Sequence, residues 1–77
     1  MTVKIYSTPS CHWCVKVKEF LKENDIEFKD LNVAEDRQAA KEMVEKSGQM
    51  GVPVLDIKGT IIVGFNEPMI KEALGLK

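Results

Sequence analysis

Apolar and polar residues follow one another along the chain with a changing period, and each change marks the boundary of an element. A short β-rich run over residues 3–6 predicts a strand, which ends at the turn and capping residues 7–10. Apolar positions then recur every three or four residues, which indicates an amphipathic helix from about Cys11 to Asn24. The positions on its apolar side are Trp13, Val17, Phe20, Leu21 and Asn24.

The middle of the chain predicts a second strand and a second helix. Apolar residues are interleaved with polar ones across residues 26–33, but the spacing breaks after Phe28, so the far end of this strand is not fixed. Its apolar residues are Ile26, Phe28, Leu31 and Val33. Residues 35–47 then follow a helical period, and Gly48 is a typical helix stop. The stripe of this helix consists of Ala39, Ala40, Met43 and Val44.

The last third of the chain predicts two strands and a short helix. Residues 52–57 and 60–63 are apolar runs, and the Lys58–Gly59 pair between them predicts a tight hairpin turn. Gly64 ends the second run. Residues 67–74 then form a helix that ends at Gly75 and turns Ile70, Ala73 and Leu74 inward.

The predicted order is therefore β-α-β-α-β-β-α, which belongs to the α/β class. The first β-α-β unit crosses over right-handed and gives parallel strands, whereas the hairpin makes the last two strands antiparallel. We expect a four-stranded mixed sheet flanked by three helices, with helices on both faces. No repeat or linker interrupts the pattern, so a single domain over residues 1–77 is expected.

Composition narrows the class of function. Of the 77 residues, 44% are hydrophobic and 30% are charged, which is typical of a globular chain with one core. Eleven basic and 12 acidic side chains give a net charge of -1, which argues against nucleic acid or a membrane surface as partner. No apolar run approaches the ~18 residues of a membrane helix, and the N-terminal run is too short for a signal peptide. We expect a cytoplasmic monomer.

The two cysteines are the most informative residues of the chain. Cys11 and Cys14 are too close in sequence to staple the fold, since a disulfide over so small a loop contributes only about 2 kcal/mol. Their spacing instead brings two sulfurs together at the start of a helix, whose positive end stabilises a thiolate and lowers its pKa. Cys11 is expected to be the exposed attacking thiol and Cys14 the resolving thiol. A Cys-x-x-Cys in a β-α-β pattern predicts thiol–disulfide exchange.

Other interpretations of the pair stay open at this point. A closed zinc site needs four ligands, and only His12 is added by the motif, where helical geometry turns it away from the cysteines. A [2Fe–2S] cluster shared between two chains and a purely structural pair are further alternatives. His12 either tunes the thiolate or is simply solvated, and Trp13 either forms an apolar rim for substrate or is buried in the core. Lys16 and Lys18 either add positive potential or form an ordinary solvated face.

The Val52–Pro53 pair opens the third predicted strand. A proline at this position leaves the backbone groups of Val52 without a ladder partner, free to pair with an extended substrate. An X-Pro bond in a tight turn is sometimes cis, although the dipeptide alone does not require it.

Three motifs together carry a resemblance to a known family. Cys11-His12-Trp13-Cys14 behind a strand, then Gly51-Val52-Pro53, then Val63-Gly64-Phe65, resemble the glutaredoxin branch of the thioredoxin superfamily. The chain is most similar to small glutaredoxin-like proteins and to the ribonucleotide-reductase-linked, NrdH-type redoxins. The resemblance covers essentially the whole chain and implies a thioredoxin fold.

The resemblance also implies roles for individual residues. Cys11 matches the nucleophile and Cys14 the resolving cysteine, and Pro53 matches a cis-proline. Val52 matches the residue whose backbone pairs with substrate, while Gln49 falls where glutathione-using members contact the tripeptide's glycine carboxylate. The substrate-binding set expected from the motifs and the resemblance is His12, Trp13, Gln49, Val52, Pro53, Gly64 and Phe65.

Departures from the family pattern bear on the electron donor. His12 and Trp13 replace the common Pro-Tyr, Gly51 replaces a threonine, and Phe65 replaces the second glycine of a Gly-Gly pair. The acidic pair that holds the amino end of glutathione is reduced to Glu67. The resemblance therefore implies a disulfide oxidoreductase without a tightly bound cofactor, acting on protein or small-thiol mixed disulfides. Its donor is glutathione or a reductase of the thioredoxin-reductase type, and Phe65 favours the reductase.

Overall fold

The seven elements form in the order that the hydrophobic pattern predicts. The computed structural model describes residues 3–76, so Met1, Thr2 and Lys77, which belonged to the expected domain, lie outside the described residues. The elements are β1 (Val3–Ser7), α1 (His12–Glu23), β2 (Lys29–Asn32), α2 (Arg37–Ser47), β3 (Val54–Ile57), β4 (Thr60–Val63) and α3 (Glu67–Leu74).

The four strands form one mixed sheet in the order β2-β1-β3-β4. β1 runs parallel to β2, as a β-α-β crossover requires, and antiparallel to β3. β3 and β4 are joined by the predicted hairpin, in which Lys58 and Gly59 both have positive φ, at 53° and 92°. Two such residues form the turn whose twist matches that of the flanking strands. The predicted thioredoxin-fold topology is confirmed.

Strand alternation divides the core between the two faces of the sheet. Val3 and Ile5 of β1 point to the face covered by α1 and α3, whereas Tyr6 points to the face covered by α2. The buried cluster on the first face consists of Val3, Ile5, Val17, Leu21, Leu55, Ile57, Ile62 and Ile70. The cluster on the second face consists of Tyr6, Ala39, Met43 and Val54. Helices on both faces of the sheet were expected, and this is confirmed.

Local polar chemistry moves several element boundaries away from the predicted ones. α2 begins at Arg37 rather than at residue 35, because the Asp36 side chain caps the helix by accepting the Ala39 N–H at 3.1 Å. β3 begins at Val54, after Pro53, because proline offers no N–H to a ladder.

The second predicted strand and the helix stripes also needed correction. β2 covers only Lys29–Asn32, and Ile26 and Phe28 pack against the first core cluster from the segment before it. On α1, periodicity predicts that Trp13 and Asn24 lie on the apolar side, but both are exposed and Cys14 is buried instead. On α2, Val44 is exposed.

Candidate active site

The two cysteines lie at the start of α1, after the loop that follows β1, and they are joined by a disulfide bond. Their Cα atoms are 5.2 Å apart. Cys11 is half-buried at the helix N-cap, whereas Cys14 is one turn further on and completely buried. The sulfur that faces outward is therefore that of Cys11.

The loop before α1 fixes Cys11 as the capping residue. After β1 ends at Ser7, a tight turn brings the Cys11 N–H to within 3.3 Å of the Thr8 carbonyl oxygen. Cys11 has extended backbone angles, and its sulfur accepts the backbone N–H of Cys14 at 3.1 Å. A side chain that accepts this N–H caps the helix N-terminus, as serine and aspartate side chains commonly do. The Cys11 sulfur thus lies at the positive end of α1.

A shallow apolar groove of about 260 Å³ lies beside the disulfide. It is lined by Trp13, Val52, Pro53, Gly64 and Phe65, which are five of the seven substrate-binding residues expected above. The Val52–Pro53 peptide bond is cis, as the resemblance implied. Gly64 has a φ of 78°, in the left-handed region that favours glycine, and its N–H bonds the Pro53 carbonyl oxygen at 2.8 Å.

Trp13 forms the exposed rim of this groove rather than part of the core. Its side chain is 56% exposed, and its ring lies 6.5 Å from that of Phe65. Phe65 in turn lies 5.8 Å from Phe20, which packs against the first core cluster. The role of Phe20 as the support of this aromatic row was missed. The available signal was its position seven residues after Trp13, two turns along the same side of α1.

His12 and Gln49 are not brought into the groove. The exposed His12 ring meets Trp13 edge-on, with centroids 6.1 Å apart, on the outer side of the helix start. Gln49 is exposed in the segment after α2, and its amide lies over Gly51. Its Nε2 is 3.4 Å from where a Gly51 Cβ would be, which is ordinary van der Waals contact.

The backbone of Val52 is available to a partner. The ladder between the β3 and β4 segments extends one step beyond the strands, to the Gly64–Pro53 hydrogen bond. Among the described residues, no backbone hydrogen bond engages the N–H or the carbonyl of Val52. These groups border the groove and can pair with an extended segment of another molecule.

The groove is electrically neutral, since none of its five lining residues carries a charge. Lys18, one of the two lysines that could add positive potential near the thiolate, forms an ion pair with Asp30, with Nζ 2.7 Å from Oδ2. Within residues 3–76, no group of three or more His, Cys, Asp or Glu side chains is arranged to hold a metal ion. The helices of the same part of the chain are too short or too polar to cross a membrane.

Comparison with known proteins assigns the family. The chain belongs to the glutaredoxin family, whose model matches residues 3–62, a span that includes both cysteines and the cis-proline. An uncharacterized glutaredoxin-like 8.6 kDa protein of the rubredoxin operon of Clostridium pasteurianum is 53% identical over 72 residues, which cover 94% of this chain and 96% of the relative.

Solved structures give the same result. A mutant of the thioredoxin-like protein BC3987 has a TM-score of 0.93 at 28% identity, covering 99% of this chain and 97% of its own. The glutaredoxin-like protein NrdH-redoxin of Escherichia coli has a TM-score of 0.84 at 25% identity, with 94% of this chain and 93% of the redoxin covered. The resemblance drawn from the three motifs is confirmed. A glutaredoxin-family fold with a disulfide-bonded Cys11–Cys14 pair is consistent with thiol–disulfide redox chemistry.

Proposed function

We propose that this protein is a dithiol–disulfide oxidoreductase that reduces disulfides of other proteins through Cys11 and Cys14. The observation that carries the proposal is the inequality of the two sulfurs. Cys11 is half-buried and caps the helix, whereas Cys14 is fully buried directly behind it. Thiol exchange needs one accessible attacking thiolate and one protected thiol that attacks second.

The reaction starts from the reduced protein. The Cys11 thiolate attacks one sulfur of the substrate disulfide, and the other substrate sulfur leaves as a thiolate that takes up a proton. Cys14 then loses its proton and attacks the Cys11 sulfur of the mixed disulfide, which releases the second substrate thiol. Two electrons have passed to the substrate, and the protein is left with the Cys11–Cys14 disulfide seen in the structure.

Contacts at the helix start favour this order of events. The Cys14 N–H that reaches the Cys11 sulfur stabilises negative charge there, as does the positive end of α1. No comparable hydrogen bond to the Cys14 sulfur occurs among the described residues. The groove and the Val52 backbone provide apolar and hydrogen-bonding contacts for the peptide on either side of the substrate disulfide.

A matched pair of variants tests the assignment. Cys14→Ser is expected to trap a mixed disulfide between Cys11 and a protein substrate, because the resolving step is lost. Cys11→Ser is expected to trap none and to abolish reduction, although it changes the same chemical group. Mass spectrometry of the adducts and an insulin-type disulfide reduction assay measure both results. Reduction that persists in Cys11→Ser would show that the roles are wrongly assigned.

We further propose that the donor is a reductase of the thioredoxin-reductase type rather than glutathione. Glutathione has two carboxylates and an ammonium group, and burial of unpaired charges is costly. The groove offers no charged side chain, and Gln49 lies outside it. An apolar side chain of a protein partner is better matched to Trp13 and Phe65.

Parallel coupled assays test the donor. One contains thioredoxin reductase and its nicotinamide cofactor, and the other contains glutathione with glutathione reductase. Faster turnover with thioredoxin reductase is expected, and brisk turnover with glutathione alone would contradict the proposal. Phe65→Gly restores the family's second glycine and is expected to raise the glutathione rate relative to the reductase rate. A control at an exposed apolar position away from the groove, Met69→Ala, is expected to leave the ratio unchanged.

The proposed activity requires a reducing compartment, which supports a cytoplasmic location. We also propose that the protein acts as a monomer. The alternative of a [2Fe–2S] carrier bridging two chains stays a hypothesis. Anaerobic cluster reconstitution followed by size measurement distinguishes the two, because only the carrier yields a coloured dimer.

A further inference from the structure

A partly buried polar contact lies between the chain segments that flank the redox pair, and the reaction described above does not use it. Among residues 3–76, Ser7 is the one polar residue in the buried set, at 2% exposure. Its Oγ donates to Asp30 Oδ1 at 2.7 Å, and the second carboxylate oxygen of Asp30 lies 2.7 Å from the Lys18 ammonium. These three residues, the Ser7–Asp30–Lys18 cluster, join β1, β2 and α1.

The cluster connects the chain segments on both sides of the cysteines. Ser7 ends β1 four residues before Cys11, and Lys18 follows Cys14 by four residues, one turn along α1. Residues four apart on a helix are surface neighbours, with Cβ atoms about 5–6 Å apart. Asp30 pairs with Ile5 across β1 and β2, on the sheet face that α1 covers. The cluster therefore lies between the sheet and the first turns of α1.

The cluster holds one positive and one negative charge next to each other. Burial raises the pKa of Asp30, but the hydrogen bonds from Lys18 and Ser7 and the charges of Lys18 and Lys22 outweigh it, so that the pKa is lowered. Asp30 is thus ionised at neutral pH. The side chains of Lys18 and Asp30 are 24% and 42% exposed, so solvent screens them only in part.

We propose that the Ser7–Asp30–Lys18 cluster is a positioning element that balances charge beside the cysteines and thereby sets their reduction potential. The proposal rests on the thiol–disulfide chemistry proposed above. In the reaction proposed above, reduction converts an uncharged disulfide into a dithiol whose attacking form is the Cys11 thiolate. A nearby cation favours that reduced form and a nearby anion disfavours it. While Lys18 and Asp30 are paired, their opposite effects largely cancel.

Removing one partner leaves the other charge unbalanced, so the proposal predicts the direction in which the dithiol–disulfide equilibrium shifts. Asp30→Asn keeps an oxygen to accept the Ser7 hydroxyl but leaves Lys18 unpaired, so it is expected to favour the reduced form. Lys18→Met leaves Asp30 unpaired and is expected to favour the disulfide. Each shift is expected to be about three- to tenfold in the equilibrium constant, the size of one partly screened charge. The double variant is expected to return to within about twofold of the native constant.

The experiment measures the equilibrium of the protein with a low-molecular-weight thiol buffer. The protein disulfide and two small thiols exchange with the protein dithiol and one small disulfide, and the fractions are read after alkylation by mass spectrometry. The matched controls are two exposed charges of α2, on the other face of the sheet, where Glu45→Gln and Lys41→Met are expected to leave the equilibrium unchanged. Urea unfolding of every variant reports the loss of stability separately.

The direction of the shifts decides the outcome. Opposite shifts that cancel in the double variant support charge balance. Shifts in the same direction, or none, would overturn the proposal, because a merely structural contact affects both variants alike. The equilibrium is measured on the protein without a substrate. It therefore reports on the cysteine pair even if no protein disulfide is reduced, so failure of the proposed function and failure of this inference are distinguishable.

Discussion

Glu42 of α2 is the centre of a polar network on the face of the sheet opposite to α1, and its replacement gives a quantitative test. Its Oε1 accepts the hydroxyl of the buried Tyr6 at 2.5 Å and the Lys46 ammonium at 3.0 Å. Lys46 also binds Asp56 of β3 at 2.6 Å. Glu42→Gln removes the charge and keeps an oxygen for Tyr6. We expect it to lower the free energy of unfolding at neutral pH and to have little effect in strong acid.

The size of the effect follows from the pKa of Glu42. The hydrogen bond from Tyr6, then that from Lys46, and the charges of Lys46 and Lys4 together lower this pKa from 4.5 to about 2, against the opposing effect of burial. Converted in full, this lowering of the pKa would correspond to about 3 kcal/mol in the free energy of unfolding. The side chain is 33% exposed, and solvent screening reduces the contribution of such a group to about 1 kcal/mol. The free energy of unfolding of the whole domain is expected to be only ~4–12 kcal/mol, so a loss of this size is measurable.

The pH dependence has a definite sign. A carboxylate whose pKa is lower in the folded state stabilises the fold above its unfolded value, and this stability is lost as the pH falls through the folded value. The difference between the native protein and Glu42→Gln is therefore expected to shrink between about pH 4.5 and pH 2. Urea unfolding across that range measures it, with Glu67→Gln on α3 as an exposed control. A difference of equal size at pH 7 and pH 2 would refute the reasoning.

Three further substitutions test the core, a cap and the groove. Leu21→Ala is expected to lower the free energy of unfolding by about 2–5 kcal/mol, because Leu21 is fully buried; a loss below about 1 kcal/mol in urea unfolding would contradict this. Asp36→Ala removes the cap of α2 and is expected to cost about 1 kcal/mol, with Asp36→Asn close to native in the same assay. Trp13→Ala is expected to leave stability within about 0.5 kcal/mol but to raise KM for protein disulfides several-fold; an unchanged KM would exclude Trp13 from docking.

The fold was predictable because its core depends on periodicity. Alternation in β1 sends Ile5 and Tyr6 to opposite faces, and helical spacing places Val17 and Leu21 on one side of α1. The hairpin was predictable from a dipeptide that tolerates positive φ. Boundaries were less accurate where a single side chain decides them, as Asp36 does at the start of α2.

The site was predictable only as far as it follows from local sequence. The cysteine pair and the helix start lie within one short segment, whereas the groove joins Trp13 to Val52 and Phe65, which are far apart along the chain. Periodicity assigned Trp13 to the apolar side of α1. It gave no information on whether the sheet covers that side in the first turn, and there the tryptophan is exposed. The hydrogen bonds of Glu42 and Asp30 were equally unpredictable from local sequence. Their partners Tyr6 and Ser7 lie 36 and 23 residues away along the chain.

Two polar networks in the described part of the chain allow the effect of a charge on stability to be compared with its effect on the disulfide equilibrium. The Glu42 network ties α2 to β1 and β3, on the face away from the cysteines. The Ser7–Asp30–Lys18 cluster ties α1 to β1 and β2, between the segments that flank the cysteines. Each contains a carboxylate whose pKa is lowered by an ammonium and a hydroxyl. If distance from the sulfurs decides the effect, Glu42→Gln changes stability and leaves the disulfide equilibrium at its native value, whereas Asp30→Asn shifts that equilibrium. A shift caused equally by both would mean that the equilibrium follows global stability rather than local charge.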